Sequence, residues 1–323
     1  MKIGILGAGS IAHKMAETVR RMEKTEIYAV VSRSLEKAED FAKQYHIPKA
    51  YGNYEDMVKD SSVDLVYVAT PHSHHYEHVK LCLENGRNVL CEKAFMINSA
   101  QAKEVVRIAR EKKLLLAEAI WTRYMPSREL IREAVDSGII GEVTSLTANL
   151  GYAIGNKERL VRSDLGGGAL LDLGVYPINF ALMVFGEDYQ EVSAQGILSD
   201  QGVDLQNSIT LTWKNGRMAL LHSNMEALTD RRGIIHGDKG YLVVENINNC
   251  EAISAYDLDR KLIKQYEIPE QITGFEYEVE SCRKALENGE IECKEMPLAN
   301  SVAVMELMDR IREILGIRYA CEV

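Results

Sequence analysis

The chain opens on a strand, a glycine turn and a helix, and this start confines the fold more than any other stretch. Lys2-Ile3-Gly4-Ile5-Leu6 is short and apolar enough for a buried strand. It runs into Gly7-Ala8-Gly9-Ser10-Ile11-Ala12, after which Ile11, Ala12, Met15, Ala16 and Val19 recur with helical spacing. Gly7 permits the tight turn, Gly9 lets backbone approach a pyrophosphate, and Ala12 is small enough for helix to pack on strand; Ser10 and Ile11 then stand in the helix's first turn, where phosphates sit. The pattern alone is weak, but between these two elements it predicts a dinucleotide site in an α/β domain with a doubly wound parallel sheet.

The following segments supply the edge of such a site. A second strand, Ile27 to Val31, should end beside the adenosine ribose, where an NAD site usually carries an acid. Here stand Ser32 and Arg33, a hydroxyl and a guanidinium suited to a 2′-phosphate, so NADP is favoured over NAD. The competing reading is a solvated Arg33 opening the helix Leu35 to Tyr45. A short strand at Ala50-Tyr51 and a buried one from Val63 to Ala69 follow. The latter ends in Thr70-Pro71-His72-Ser73-His74-His75-Tyr76-Glu77-His78, on the carboxyl edge where ligands of such sheets bind. His74 and His78 have the spacing of metal ligands, yet no second cluster completes a coordination sphere, so no metal is expected. These residues are expected to shape the cofactor pocket and cap a helix from His75 to Glu84. The strand Asn88 to Ala94 ends in Glu92 and Lys93, which would overlook the nicotinamide or simply pair with each other. A helix from Ala100 to Glu111 and a sixth strand, Leu114 to Glu118, bring the chain to Trp121-Thr122-Arg123-Tyr124, the exit from a first domain set at residues 1–119.

Residues 120–323 change character. Val143 to Tyr152, Glu191 to Ile197, Ser208 to Trp213 and Met218 to Ser223 read as strands, and the third alternates apolar with hydroxyl side chains as a half-exposed sheet does. Lys214-Asn215-Gly216-Arg217 is a hairpin signal of type I′, which makes its neighbours antiparallel. A helix from about 298 to 315 closes the chain. Between these lies LGGGALLDLGVYPINFALMVF, residues 165–185, a glycine-rich loop leading into an apolar helix. Asp172 and Tyr176, spaced i, i+4, project from one helix face, and an acid there is costly unless partnered. The pair is either held by backbone groups or is a catalytic face.

Composition excludes several function classes. With 38 basic and 48 acidic residues the net charge is −10, which argues against a nucleic-acid or anionic-membrane partner and for a small molecule. No apolar run is read as long enough for a membrane span, and MKIGILGAG lacks the basic start and cleavage site of a signal peptide, so a cytoplasmic location is expected. The six cysteines lack CxxC spacing and read as reduced thiols.

Taken together, GILGAGSIA, ATPHSHHYEHV, CEKA and GGGALLDLGVYPI resemble the Gfo/Idh/MocA family of NAD(P)-dependent oxidoreductases over essentially the whole chain. EAIWTRYMP and GGGALLDLGVY are most similar to its branch of dimeric dihydrodiol dehydrogenases and NADP-dependent D-xylose dehydrogenases. The resemblance implies a Rossmann domain followed by an α+β domain with a large, open, mostly antiparallel sheet whose exposed face forms a homodimer or homotetramer. It implies Lys93, Asp172 and Tyr176 as catalytic residues. Lys93 matches the lysine of the family's EKP, with Ala94 in place of the proline and a less rigid loop expected. Asp172 and Tyr176 match the acid and the His or Tyr of its DxGxH/Y. The cofactor-binding set is Gly7, Gly9, Ser10, Ile11, Ser32, Arg33, Thr70, Pro71, His72, His75, Glu92, Lys93, Trp121 and Arg123. The expected reaction moves a hydride between nicotinamide and a hydroxyl-bearing carbon of a sugar, polyol or trans-diol, with D-xylose-like aldoses ahead of aromatic trans-dihydrodiols. Two alternatives remain: a regulator that senses NADP without turnover, and glycoside cleavage with tightly held NAD, which would favour an acid at position 32.

Overall fold

A computed structural model describes residues 1–322, which form two compact units. The first comprises Met1–Trp121 and Gln271–Val302. Its strands β1 (Lys2–Leu6), β2 (Glu26–Val31), β3 (Lys49–Tyr51), β4 (Leu65–Val68), β5 (Asn88–Glu92) and β6 (Leu116–Ala119) make one sheet of order β3-β2-β1-β4-β5-β6. Every pairing is parallel, as near-continuous apolar strands buried on both faces require. The helices α1 (Ser10–Val19), α2 (Leu35–Tyr45), α3 (Tyr54–Lys59), α4 (His72–Glu84) and α5 (Ser99–Lys112) connect the strands. The strand order reverses beside β1, so the loops after β1, β2 and β4 open at one carboxyl edge.

Two expectations in this unit need correcting. The histidines after β4 do not cap α4 but form its first turns; the cap position is Pro71, which offers no side-chain acceptor. The continuous second domain expected at 120–323 differs from the observed division, because Gln271–Val302 returns to the first unit. The return is anchored by polar and aromatic contacts that sequence spacing does not advertise. Glu276, at the start of α9 (Glu276–Glu287), accepts the amides of Ile272, Thr273 and Gly274 at 2.6, 3.0 and 2.7 Å. Thr273 shares a 2.6 Å hydrogen bond with Thr18, Phe275 stacks on Trp121 at 4.3 Å, and the Ile291 carbonyl accepts the Leu116 amide of edge strand β6 at 3.1 Å.

The second unit, Thr122–Glu270 with Ala303–Val323 less the undescribed last residue, is built on eight strands. These are β7 (Val143–Gly151), β8 (Tyr189–Leu198), β9 (Asp204–Trp213), β10 (Met218–Asn224), β11 (Gly233–Gly237), β12 (Gly240–Glu245), β13 (Ala252–Asp257) and β14 (Leu262–Tyr266). Their order is β14-β13-β12-β11-β7-β10-β9-β8, antiparallel except between β7 and β10. β9 and β10 are antiparallel as read, but the turn is not type I′. Only Gly216 has positive φ, and Gly216 N–H donates to Trp213 O at 3.0 Å, the pattern of a three-residue loop with a glycine bulge.

The short helices α6 (Pro126–Asp136) and α7 (Glu158–Val161) precede a wide π turn, Leu170–Gly174, which continues into α8 (Val175–Phe185). This helix packs on β7 and β10, and it lies so close to the start of β11 that a Cβ at Gly233 would meet the Phe180 ring at 2.5 Å. The helical stretch Ser163–Phe185 reaches the length and apolarity of a membrane span after all, but 89% of its apolar window is buried inside the protein, so it is a core helix. The last helix, α10 (Leu298–Leu315), has the bounds expected for it.

Candidate functional site

The carboxyl edge of the parallel sheet holds a cleft of about 560 Å³. Gly7, Gly9, Ser32, Arg33, Thr70 and Pro71 of the expected set line it, together with Tyr54, Glu55, His74, Glu77 and His78. Gly7 has φ +107°, and a Cβ there would lie 2.9 Å from the Ala69 carbonyl, so β1 and β4 can sit this close only with glycine. Gly9 differs in kind: nothing lies within 4 Å of the place its Cβ would take. α1 begins at Ser10, directly after the lining residue Gly9, with no side-chain cap and no acid in its first turn, so its orphan amides suit an anion. An open cradle, a run of amide donors and the exposed Arg33 fit a dinucleotide with its phosphates.

The histidines act by burial. His75 is fully buried, with Nδ1 2.9 Å from Ala94 O and Nε2 2.8 Å from Thr70 O, and it ties the loops after β4 and β5 together. Burial pushes its pKa down, and a neutral ring donates to only one of the two carbonyls. His78 is pushed down to about 4, first by burial and then by His74, His75 and Arg33. Its Nδ1 lies 3.0 Å from Thr70 Oγ1, and its ring stands edge-on to Tyr54.

β5, read as Asn88 to Ala94, ends at Glu92, and Lys93 follows it directly. Glu92 is buried and accepts the Tyr67 hydroxyl, while Lys93 is half-buried. The loop beyond has a cis Lys93–Ala94 peptide, and Ala94, Phe95, Met96 and Ile97 are each at most 1% exposed. Packing therefore holds this loop where the sequence lacks the proline. Of the remaining expected cofactor residues, Ser10 and Ile11 open α1, His72 is buried in α4, and Trp121 stacks on Phe275. Arg123, in the second unit, is 3% exposed and donates through Nε to Asn179 of α8 at 2.8 Å.

The second unit carries Asp172 and Tyr176, 5% and 8% exposed. Asp172 lies within the π turn and Tyr176 in the first turn of α8, so the two are joined by a wider coil than the α-helix read from spacing. Such turns recur at functional sites. The partner that a buried acid requires is Arg159 of α7, whose Nη1 and Nη2 stand 3.2 and 3.1 Å from Asp172 Oδ1. Sequence reasoning missed Arg159: it sits in a short polar helix 13 residues upstream, and no periodicity links it to α8.

A doubly wound sheet with this cleft, followed by an open antiparallel sheet packed by a helix with a buried acid and phenol, defines a two-unit dinucleotide-dependent oxidoreductase. Residues 1–119 match the model of the "Oxidoreductase family, NAD-binding Rossmann fold", and residues 129–243 match the "GFO/IDH/MocA C-terminal domain". The chain is 36% identical to trans-1,2-dihydrobenzene-1,2-diol dehydrogenase of Xenopus tropicalis, covering 98% of this chain and 99% of that one. With the Xenopus laevis enzyme of the same name the identity is 37%, at 98% and 99% coverage. Among solved structures, a 3-ketoreductase from Actinomadura kijaniata in complex with NADP and TDP-benzene superposes with a TM-score of 0.90 at 26% identity, covering 98% of both chains. This chain belongs to the Gfo/Idh/MocA oxidoreductase family.

Proposed function

We propose that the chain is an NADP-preferring oxidoreductase acting on a CH–OH carbon of a small, uncharged, polyhydroxylated substrate, D-xylose-like aldoses ahead of aromatic trans-diols. The observation that carries it is the burial of Asp172 and Tyr176 on a largely apolar helical segment, the acid being paired with Arg159. A regulator that only sensed the dinucleotide would have no need to bury an acid there, since taking a carboxylate out of water is costly. Ser32 and Arg33 at the end of β2, in place of an acid, support NADP over NAD and disfavour NAD-dependent glycoside cleavage. The names of the relatives and the NADP-bound neighbour support the same reading.

The dinucleotide, when bound, supplies a hydride acceptor or donor at its nicotinamide. Gly9 and the first amides of α1 hold the pyrophosphate, and Ser32 and Arg33 hold the 2′-phosphate. Tyr176 takes the hydroxyl proton when the substrate carbon loses its hydride, and returns it in the reverse direction. A free phenol, with pKa near 10, is a weak base at neutral pH, so Lys93 is proposed to supply the positive charge that favours the phenolate. Asp172, held by Arg159, orients the substrate hydroxyls. The enzyme is proposed to be a cytoplasmic homodimer joined through the open face and edge of the eight-stranded sheet, where Met218 and Leu220 are 40% and 46% exposed. Light scattering that returned a monomer mass at micromolar concentration would remove the dimer.

The test is a screen of aldoses, polyols and trans-diols with NADP and with NAD, read at the reduced-nicotinamide absorbance. Turnover of uncharged polyols with NADP is the expected result; turnover of carboxylated or phosphorylated compounds alone overturns the substrate class.

A further inference from the structure

We propose that Asp204 is a positioning residue for the chemistry of Asp172 and Tyr176, because its buried side chain secures the turn from which their helix starts. The proposal rests on the oxidoreductase reading above. Asp204 opens β9 and has no exposed surface. Its Oδ2 accepts the amide of Leu170 at 2.8 Å and the side-chain amide of Asn207 at 2.7 Å. Leu170 is the first residue of the π turn that contains Asp172, and its amide belongs to the first turn of that helical segment, where the ladder leaves donors without partners. The ladder itself is weak at this point, since Asp172 N–H reaches Gly168 O only at 3.4 Å. A carboxylate from another strand therefore does what a local capping residue would otherwise do.

The same carboxylate explains one glycine of the GGG motif. Gly168 has φ +107°, and a Cβ on it would stand 2.4 Å from Asp204 Oδ1. On the other side of the turn, Gly168 N–H donates to Leu160 O at 2.8 Å, and a Cβ on Gly167 would meet that carbonyl at 2.4 Å. The glycine turn is thus clamped between β9 and the segment carrying Arg159, the partner of Asp172. Asp204 Oδ1 itself makes no hydrogen bond among the described residues. Asp204 is among the charges that raise the phenol of buried Tyr319, which also lies beside Arg312 and Glu322. Burial raises the Asp204 carboxyl to about 6, so at neutral pH it is largely the ionised acceptor that holds the Leu170 amide.

The experiment compares Asp204→Ala and Asp204→Asn in the full chain by steady-state kinetics, NADP titration and hydrogen–deuterium exchange. Asp204→Ala should lower kcat roughly tenfold or more, as expected for losing a hydrogen bond to a charged group, while leaving the NADP Kd within about twofold. Exchange should rise in residues 168–176 and stay unchanged in β1 to β6. Asp204→Asn, whose carboxamide oxygen still accepts from Leu170, should recover kcat to within a few-fold. If Asp204→Ala does not fold, Gly168→Ala, which forces a methyl against Oδ1, must give the same split between kcat and NADP Kd. Parental kcat in Asp204→Ala, equal losses in kcat and NADP affinity, or no recovery in Asp204→Asn would each overturn the proposal. Should the parent protein turn over no CH–OH substrate, the oxidoreductase reading fails by itself; unchanged exchange at 168–176 in Asp204→Ala is what overturns the clamp.

Discussion

The two polar sites of this chain are held in opposite ways. The cleft of the first unit is made from loops that directly follow apolar strands, and its decisive positions are backbone positions: Gly7 because a Cβ would strike Ala69 O, Gly9 because the space beside it is open. Asp172 and the turn around it are instead held by side chains from far along the chain, Arg159 at a separation of 13 residues and Asp204 bonding Leu170 at a separation of 34. A site built on strand ends follows once the sheet forms. A site built on a helix inside a core needs every distant partner in place, since a buried charge left alone is costly.

The largest break in this contrast is expected at Tyr176. Tyr176→Phe should reduce turnover by on the order of 10²-fold or more, the loss of a positioned acid–base group, with NADP binding almost intact. Lys93→Met should also lower turnover and move a limb of the pH–rate profile upward. If the two residues serve one proton transfer, the double variant should be little worse than Tyr176→Phe alone. Near-normal turnover in Tyr176→Phe would leave Lys93 as the leading candidate for the proton transfer.

Next in size is Arg33. Arg33→Ala should weaken NADP by roughly tenfold or more and NAD far less, because a hydrogen bond to a charged group contributes about 1.5–3 kcal/mol. Equal losses in a titration of both cofactors would show that Arg33 does not read the 2′-phosphate.

Arg159 sharpens the comparison from the other unit. Its side chain is 44% exposed, so its pair with Asp172 is partly screened, and Arg159→Ala should lower kcat/KM only by about fivefold, with the NADP Kd unchanged. A shift in the NADP Kd as large as that in kcat/KM would mean that the residue serves the cofactor.

The smallest effect is on acid stability, and its sign should differ between the two regions. The folded-state pKa of His78 is depressed to about 4, so its contribution is present above the unfolded value and lost as pH falls. Asp204 is raised to about 6, so its contribution is present below the unfolded carboxylate value and lost as pH rises through 6. Between pH 7 and 4.5 the melting temperature of His78→Gln should therefore improve relative to the parent as pH falls, and that of Asp204→Asn should worsen. Parallel trends in the two variants would contradict the opposite origins of the shifts.

The strand, glycine turn and helix at the start, the parallel sheet that follows and the antiparallel neighbours around Lys214–Arg217 were legible in the sequence, because apolar periodicity and turn residues act over a few positions. So were Lys93, Asp172 and Tyr176 as candidates, since a charge at a strand end or on an apolar helix stands out locally. Ala94 misled in one respect: a missing proline suggested a looser loop, whereas burial of Phe95, Met96 and Ile97 holds it. Only the tertiary structure decided the rest: that Gln271–Val302 rejoins the first unit, that Asp172 rides on a π turn, and that Arg159 and Asp204 serve it. Short-range rules cannot reach these features, because a hydrogen bond or ion pair between residues far apart in sequence leaves no period in either segment. It exists only after packing has brought two otherwise ordinary polar stretches to the same buried place.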